Sequence, residues 1–562
     1  MNGPVATAPA VGRSGCAGRA RDVGALLLFA ALTIVHTWPL ASAPGSLARH
    51  DNGDALLNEW AVAWVVHQLP RDPVHLFDAN IFHPEPNTLA YSEHLFTQSV
   101  MAAPLFAIGL STTAVHNVLV LLGLTLTAWG MYLVTARWTG DRAAALVAGC
   151  LMAFNAHLLT RLAHLQAMHV EFLPFALLWL DRLLDEPKVR HGVWLAAFFV
   201  LQGLSSNYLM VFTTVALAAA ALSRPEDWFG ARARRVAVPL AVAAGCAVIA
   251  LAPFLLPYYE GYRDQGLMRT LPEAGRYSAS WKDYLATGGA LHFSTWSRTF
   301  WEGGTRTALF PGVTALALSA LAIGTGLAVR DRRARMCLAV GLAGFILSFG
   351  AAVPGYAWLY HGFPLLQGIR APVRFGLLPL VAVAGLSGFA VAWLRREVLS
   401  GVTARRLLAA LALVLVTGEA YRGDLGFSRA LVVPAAYRAL AAEPRAVVAE
   451  LPLPVRHEPF WNARHMLCST AHWKPMINGY SGFLPRSYFD HWEALKDFPE
   501  PSTLAALVSF GVTHVVVHTP ELRARLDALD AFVPLAEEVG TWIYRLRWER
   551  VPPAPGGPTI RP

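Results

Sequence analysis

Charge is scarce in this chain. Of its 562 residues, 15% are Asp, Glu, Lys or Arg and 55% are hydrophobic, a balance that excludes an ordinary water-soluble globule. Cysteine is also scarce. Of the five cysteines, Cys150, Cys246 and Cys337 sit inside apolar runs, Cys16 precedes the first run and Cys468 stands alone in the C-terminal part. That distribution gives no disulfide framework, no zinc-ligand spacing and no redox motif. The formal net charge of +9 would suit nucleic acid, but the arginines cluster between apolar runs instead of sharing one polar face. Topogenic charge accounts for them, and no nucleic-acid partner is expected.

Apolar runs are what the chain has in quantity. Runs suited to crossing about 30 Å of hydrocarbon recur from residue 23 to 420, broken by Arg-rich or Pro/Gly-rich connectors. The fold class expected is a polytopic α-helical membrane protein with a small C-terminal α/β domain outside the membrane. Spans are expected near 23–41, 114–136, 143–159, 168–184, 192–204, 207–222, 236–257, 308–329, 336–353, 373–394 and 405–420, about eleven in all. Residues 1–22, rich in Gly, Ala and Arg, read as a disordered cytoplasmic leader. Ala41-Ser42-Ala43 resembles a signal-peptide cleavage site. The apolar run before it is longer than a usual signal core and more spans follow, so it is read as a retained first helix.

Arg13, Arg19 and Arg21 place the N-terminus in the cytoplasm, and the connectors 136–142, 181–191, 224–235, 330–335 and 395–406 carry the other cytoplasmic arginines. An odd number of crossings leaves the C-terminal domain (425–562) extracytoplasmic, with residues 23–424 forming the transmembrane domain. Within 425–562, the segments 445–453, 513–519 and 540–547 read as strands, and "RSYFDHWEAL", "STLAALVSF" and "ELRARLDALDAF" as helices.

The polar residues that invite chemistry all fall on the outer side. The long first outer loop (42–113) opens with "RHDNGDALLNEW" (49–60), in which Asp51 and Asp54 flank a turn sequence. Asp54 stands where an N-cap of the next helix is expected, whereas capping does not explain Asp51. That helix is too short and polar to span, and Trp60 and Trp64 on one face suit a place in the interface. Farther along the loop come Tyr91, Glu93 and His94. The second outer segment, "NAHLLTRLAHLQAMHVEF" (155–172), carries His157, Arg161 and His164 at helical spacing, then His169 and Glu171. "LLQGIRAPVRF" (365–375) sets Arg370 and Arg374 around Pro372 at the outer end of a span, against the topological trend and suited to a phosphate. Snorkelling to lipid headgroups would explain them equally well. The loop 258–304 mixes Tyr and Trp with Arg and Lys, as would suit a carbohydrate or an aromatic belt.

A first span, a long outer loop opening with acids, many further spans and an outer C-terminal domain together resemble the GT-C superfamily of membrane glycosyltransferases. The likeness covers residues 23 to about 420 in architecture, with loose motifs. It implies a hexosyl- or pentosyltransferase that takes a sugar from a polyprenyl-phosphate donor, on the outer face of a bacterial inner membrane, to a glycan, lipid or protein acceptor. It implies a catalytic role for Asp54 or Asp51, with Asp54 preferred because it opens the helix. Glu93, His94, Tyr91, Arg161, His164, His169, Glu171, Arg370 and Arg374 are the expected substrate-binding residues. A divalent cation (Mg, Mn or Ca), where one is used, would fall to Asp51, Asp54 and Glu93. The chain lacks the family's adjacent Asp-Glu pair, and the second loop offers Glu171 among histidines. The rival reading is a non-enzymatic transporter or scaffold for lipid-linked polysaccharide intermediates. It would need no acids converging on one cavity.

Overall fold

A computed structural model describes residues 16–49, 53–302, 307–454 and 457–551. Asp51 lies outside the described residues. A helix overlies each apolar run: Cys16–His36, Thr112–Thr139, Arg142–Ala153, Phe172–Asp185, Val189–Ser205, Asn207–Leu222, Ala233–Gln265, Val313–Gly324, Arg332–Ser348, Leu377–Trp393 and Val402–Ala420. Among the described residues four helical segments are long and apolar enough to cross a membrane: Thr112–Thr139, Arg142–Leu159, Ala233–Gln265 and Pro372–Val398. Asn207–Leu222 and Val313–Gly324 are apolar but shorter.

Local chemistry sets several boundaries. The Thr112–Thr139 helix starts where the Ser111 hydroxyl accepts from the Ala114 N–H, and stops at Gly140 with φ of 71°. One residue on, Asp141 Oδ1 accepts from the N–H groups of Ala143 and Ala144 at 2.9 and 3.0 Å, starting the next helix. Ser206 caps the Asn207–Leu222 helix, so the break at 205–208 separates two helices.

Three arginine-bearing connectors meet in one ion-pair network. Arg224, fully buried, reaches Asp181 at 2.5 Å and Asp185 and Asp227 at 2.6 Å, while Arg333 bonds Asp181 at 2.9 Å. The helix leading to Arg224 has 16 residues, about 24 Å of rise. The network and the Asn207 end of that helix therefore stand at opposite ends of it.

The Asp54–Gln68 helix departs from expectation. It does not lie exposed in an interface: ten of its residues from Ala55 to Val65 are buried, Trp60 and Trp64 among them. The two indoles stack at 6.4 Å, and their N–H groups donate to Asn80 Oδ1 (3.2 Å) and the Leu76 carbonyl (2.9 Å). The rest of the first loop and the C-terminal part cover the helix, so its aromatic face meets protein.

Strand β1 (Leu47–Ala48), immediately before the acidic turn, pairs antiparallel with β2 (Ser428–Arg429). The C-terminal part then builds a four-stranded sheet from β3 (Val448–Leu451), β4 (His514–Val517), β5 (Phe532–Glu538) and β6 (Thr541–Leu546), in the order β3-β4-β6-β5. β3 and β4 are parallel and the other pairs antiparallel. Helices lie at Arg486–Leu495, Pro501–Ser509 and Pro520–Asp527. The sequence pattern misses β5. The helix expected through Phe532 ends at Asp527, because the following residues pair with β6 across the Val539-Gly540 turn.

Candidate functional site

A cavity of about 990 Å³ opens between the first loop, the 155–172 segment, the end of the Ala233–Gln265 helix, the 361–374 segment and residues 480–484. Asp54 lines it. Its placement depends on Gly53, whose φ of 84° lies in the left-handed region and whose Cβ, if present, would lie 2.7 Å from the Phe460 carbonyl oxygen. Gly53 occupies the cap position and no side chain caps this helix. The expectation that Asp54 is the N-cap is therefore corrected. Asp54 is the first helical residue, where the positive end of the helix favours its carboxylate.

Both Asp54 oxygens have partners from distant parts of the chain. Tyr480 Oη donates to Oδ1 at 2.7 Å, and His164 Nε2 lies 2.9 Å from Oδ2. A carboxylate only accepts, so His164 carries its proton on Nε2. Burial works to raise the Asp54 pKa. The His164 bond and charge, the Tyr480 hydroxyl and the nearby Arg374 charge outweigh it and leave the pKa below the usual value. Burial lowers the His164 pKa against the pull of Asp54, with Arg161 and Arg374 adding to the lowering. At neutral pH the pair is an ionised aspartate and a neutral imidazole.

Glu93 also lines the cavity, but its oxygens serve the start of the Asn207–Leu222 helix. They accept from the Ser206 hydroxyl at 3.0 Å and from the N–H groups of Asn207 at 2.7 Å and Tyr208 at 3.4 Å. Burial raises its pKa against those donors and Arg374. Glu93→Ala is expected to cost about 1–3 kcal/mol of stability, read as a lower thermal midpoint in detergent. An unchanged midpoint would contradict the capping role.

Three arginines face the cavity. Arg269 and Arg370 share Glu273 Oε1, each at 3.1 Å, and Arg370 also donates to Tyr277 Oη at 2.9 Å. Arg374 differs from both. Its guanidinium lies 4.8 Å from the centre of the Tyr208 ring, and its Nε is buried with no hydrogen-bond partner. Among the described residues no carboxylate lies within ion-pair distance of it. Tyr91 lines the cavity too, its hydroxyl accepting from Gln265 Nε2 at 2.8 Å.

Four expected site residues do not line the cavity. His94 is buried among Phe77, Phe254 and Tyr258, its Nδ1 accepting from the Phe96 N–H at 3.1 Å, and burial pushes its pKa down to about 4. It is a packing residue. His169 and Glu171 pair with each other at 2.9 Å, both buried among the helices. Arg161 stays close enough to His164 to oppose its protonation but is not part of the wall. The helical spacing of His157, Arg161 and His164 does not put them on one face, because the chain forms two single turns, Ala156–Leu159 and Leu165–Met168, with a break between. His157 turns to Thr307 while His164 turns to Asp54.

Two of the three residues of the expected cation set lie among the described residues. Asp54 and Glu93 line one cavity, but Glu93's oxygens are taken up by a helix start and Asp51 lies outside the described residues. Sequence reasoning missed Tyr208, Tyr258, Arg269 and Tyr480 as individual wall residues. For Tyr480 a signal existed, since 469–488 is the most polar and aromatic stretch of the C-terminal part. For Arg269 there was only its membership of the cationic-aromatic loop.

No protein-family model matches the chain, and no curated protein matches it in sequence. The fold is similar to that of solved GT-C glycosyltransferases. The mycobacterial arabinofuranosyltransferase AftD superposes with a TM-score of 0.59 at 15% identity over 94% of this chain, which spans 40% of the AftD chain's length. ArnT from Cupriavidus metallidurans, solved bound to undecaprenyl phosphate, superposes with a TM-score of 0.51 at 13% identity, covering 94% of this chain and 99% of its own.

Proposed function

We propose that this protein is a membrane glycosyltransferase that transfers a sugar from a polyprenyl-phosphate donor to an acceptor on the outer face of a bacterial inner membrane. The observation that carries the reading is the composition of one cavity. It holds an ionised Asp54 fixed by His164 and Tyr480, and within reach of its field a cation, Arg374, with no carboxylate partner among the described residues. Met210, Val211, Leu255 and Ile369 supply apolar wall suited to a lipid chain.

The chemistry follows from the charges. An acceptor hydroxyl loses its proton to Asp54 as its oxygen bonds to the anomeric carbon. The bond from that carbon to the phosphate oxygen breaks, and the electron pair leaves with the polyprenyl phosphate, where Arg374 offsets the negative charge. If a divalent cation takes part, Asp54 is the described carboxylate placed to hold it, with Asp51 beside it in sequence; the ion would add positive charge near the phosphate. Asp54, held in the cavity by His164 and Tyr480, favours this reading over a non-enzymatic transporter or scaffold.

Purified protein in detergent, given a panel of polyprenyl-phosphate hexoses and pentoses with labelled sugar and a cell-envelope extract as the source of acceptor, should transfer label and release polyprenyl phosphate from at least one of them. The likeness to an arabinofuranosyltransferase makes pentoses the first donors to try. Polyprenyl phosphate bound tightly with no donor turned over would favour the transporter.

Tyr480→Phe provides a finer test. The hydroxyl helps hold the Asp54 pKa down, and a general base works only above its pKa. Loss of the hydroxyl raises that pKa, so the acidic limb of the pH profile for kcat/KM should move to higher pH, with little change on the alkaline side. An unmoved acidic limb would separate Asp54 from the titration that controls the reaction.

A further inference from the structure

Away from the cavity, three side chains from separated segments converge in the C-terminal domain: Glu450 on β3, His465 on the Asn462–Cys468 helix and His518 just past β4. One donor atom from each lies within 4.8 Å of the others. We infer that Glu450, His465 and His518 form a divalent transition-metal site, best suited to zinc, that holds the C-terminal domain against the turn carrying Asp54.

The hydrogen bonding at Glu450 is lopsided. Its side chain is fully buried, and Oε2 draws His518 Nε2 at 2.7 Å, Tyr437 Oη at 3.1 Å and His465 Nδ1 at 3.2 Å. The other oxygen, Oε1, is buried with no hydrogen-bond partner, and His465 Nδ1, despite its distance, has no hydrogen bond of proper geometry. A purely structural polar cluster would spread its donors over both oxygens. The two imidazoles stack at 5.1 Å and 20° beside that one carboxylate. A metal ion would give the bare oxygen a partner. Two imidazoles and a carboxylate are a zinc donor set with room for a further ligand, and the nitrogen ligands disfavour magnesium and calcium.

The position gives the ion a task. The helix bearing His465 packs on the catalytic turn: a Cβ on Gly53 would lie 3.2 Å from the Ala463 Cβ. The next residue, Met466, places its sulfur 3.1 Å from the Tyr480 nitrogen. Asn478 locks the same region to β3, donating to the Glu450 carbonyl at 2.9 Å and accepting from its N–H at 2.8 Å. A metal joining β3, the region after β4 and this helix therefore fixes the segment that presents Tyr480 to Asp54.

The test uses full-length protein, stripped with a chelator in detergent and titrated with zinc and, separately, with cobalt. Wild type should retain a single zinc ion per chain after desalting and show the visible absorption of tetrahedral cobalt. His518→Asn, at a partly exposed position, should keep the fold by circular dichroism and gel filtration and bind zinc at least roughly tenfold more weakly. His465→Asn should do the same, while His75→Asn, in an exposed Asp–His pair elsewhere, should not change binding. Wild type that binds no zinc, or folded His518→Asn and His465→Asn variants that bind it as tightly as wild type, would overturn the assignment.

Discussion

Asp54→Asn should lower sugar transfer by about 10²–10⁴-fold in a protein that remains folded. Asparagine has nearly the same shape and can still accept from Tyr480 Oη through its amide oxygen. It can be placed to meet His164 through the other position after a change of tautomer. What it cannot do is take a proton from the acceptor, so the loss should fall on kcat with donor affinity nearly kept. The folding cost is small because Gly53, not Asp54, occupies the cap position of the helix. Label transfer at saturating donor, together with a thermal melt, checks both halves. Wild-type turnover by a folded Asp54→Asn protein would remove Asp54 from the chemistry and return attention to Asp51.

Arg374→Gln should reduce kcat/KM by about 10²–10³-fold, the range seen when a donor aimed at developing negative charge is removed. The reason lies in its surroundings. Arg269 and Arg370 already share Glu273, so part of their charge is offset before any ligand arrives. Arg374 has the Tyr208 ring and a buried, unbonded Nε, and a phosphate would be its counterion. Arg370→Gln provides the comparison and should cost several-fold less than Arg374→Gln. Arg374→Lys should recover only part of the loss, since a point charge lacks the planar fork that fits two phosphate oxygens. Equal effects at 370 and 374 would mean that the cavity's summed charge matters and no particular arginine receives the phosphate. Tight binding of polyprenyl phosphate by Arg374→Gln would exclude it from the donor site.

Glu93 shows why first-loop acids could not be ranked from their residue types. In sequence it is one acid among several in a polar loop. In the fold it reaches the start of a helix more than a hundred residues later, and its oxygens are spent on backbone N–H groups. His94, one position on, is enclosed by aromatic rings. Neighbours in sequence thus face a cavity wall and a packed core, because extended and turning backbone sends successive side chains in different directions. The helical spacing of His157, Arg161 and His164 misled for a related reason. The chain breaks after Thr160, and no periodic rule survives a break.

The sequence by itself determined the helical architecture, through apolar runs separated by charged connectors, and three of the four strands of the C-terminal sheet. These are local properties, set by hydrophobic period and by backbone groups that need a partner within a few residues. It also marked Asp54, Arg370 and Arg374, whose charges are conspicuous beside apolar runs. Only the tertiary structure decided which polar groups meet: Tyr480 with Asp54 across 426 positions, His164 from the 155–172 segment, and Glu450, His465 and His518 from three elements of one domain. Such pairings are decided by packing and by the cost of burying a charge without a partner, and that cost depends on neighbours that only the folded chain supplies.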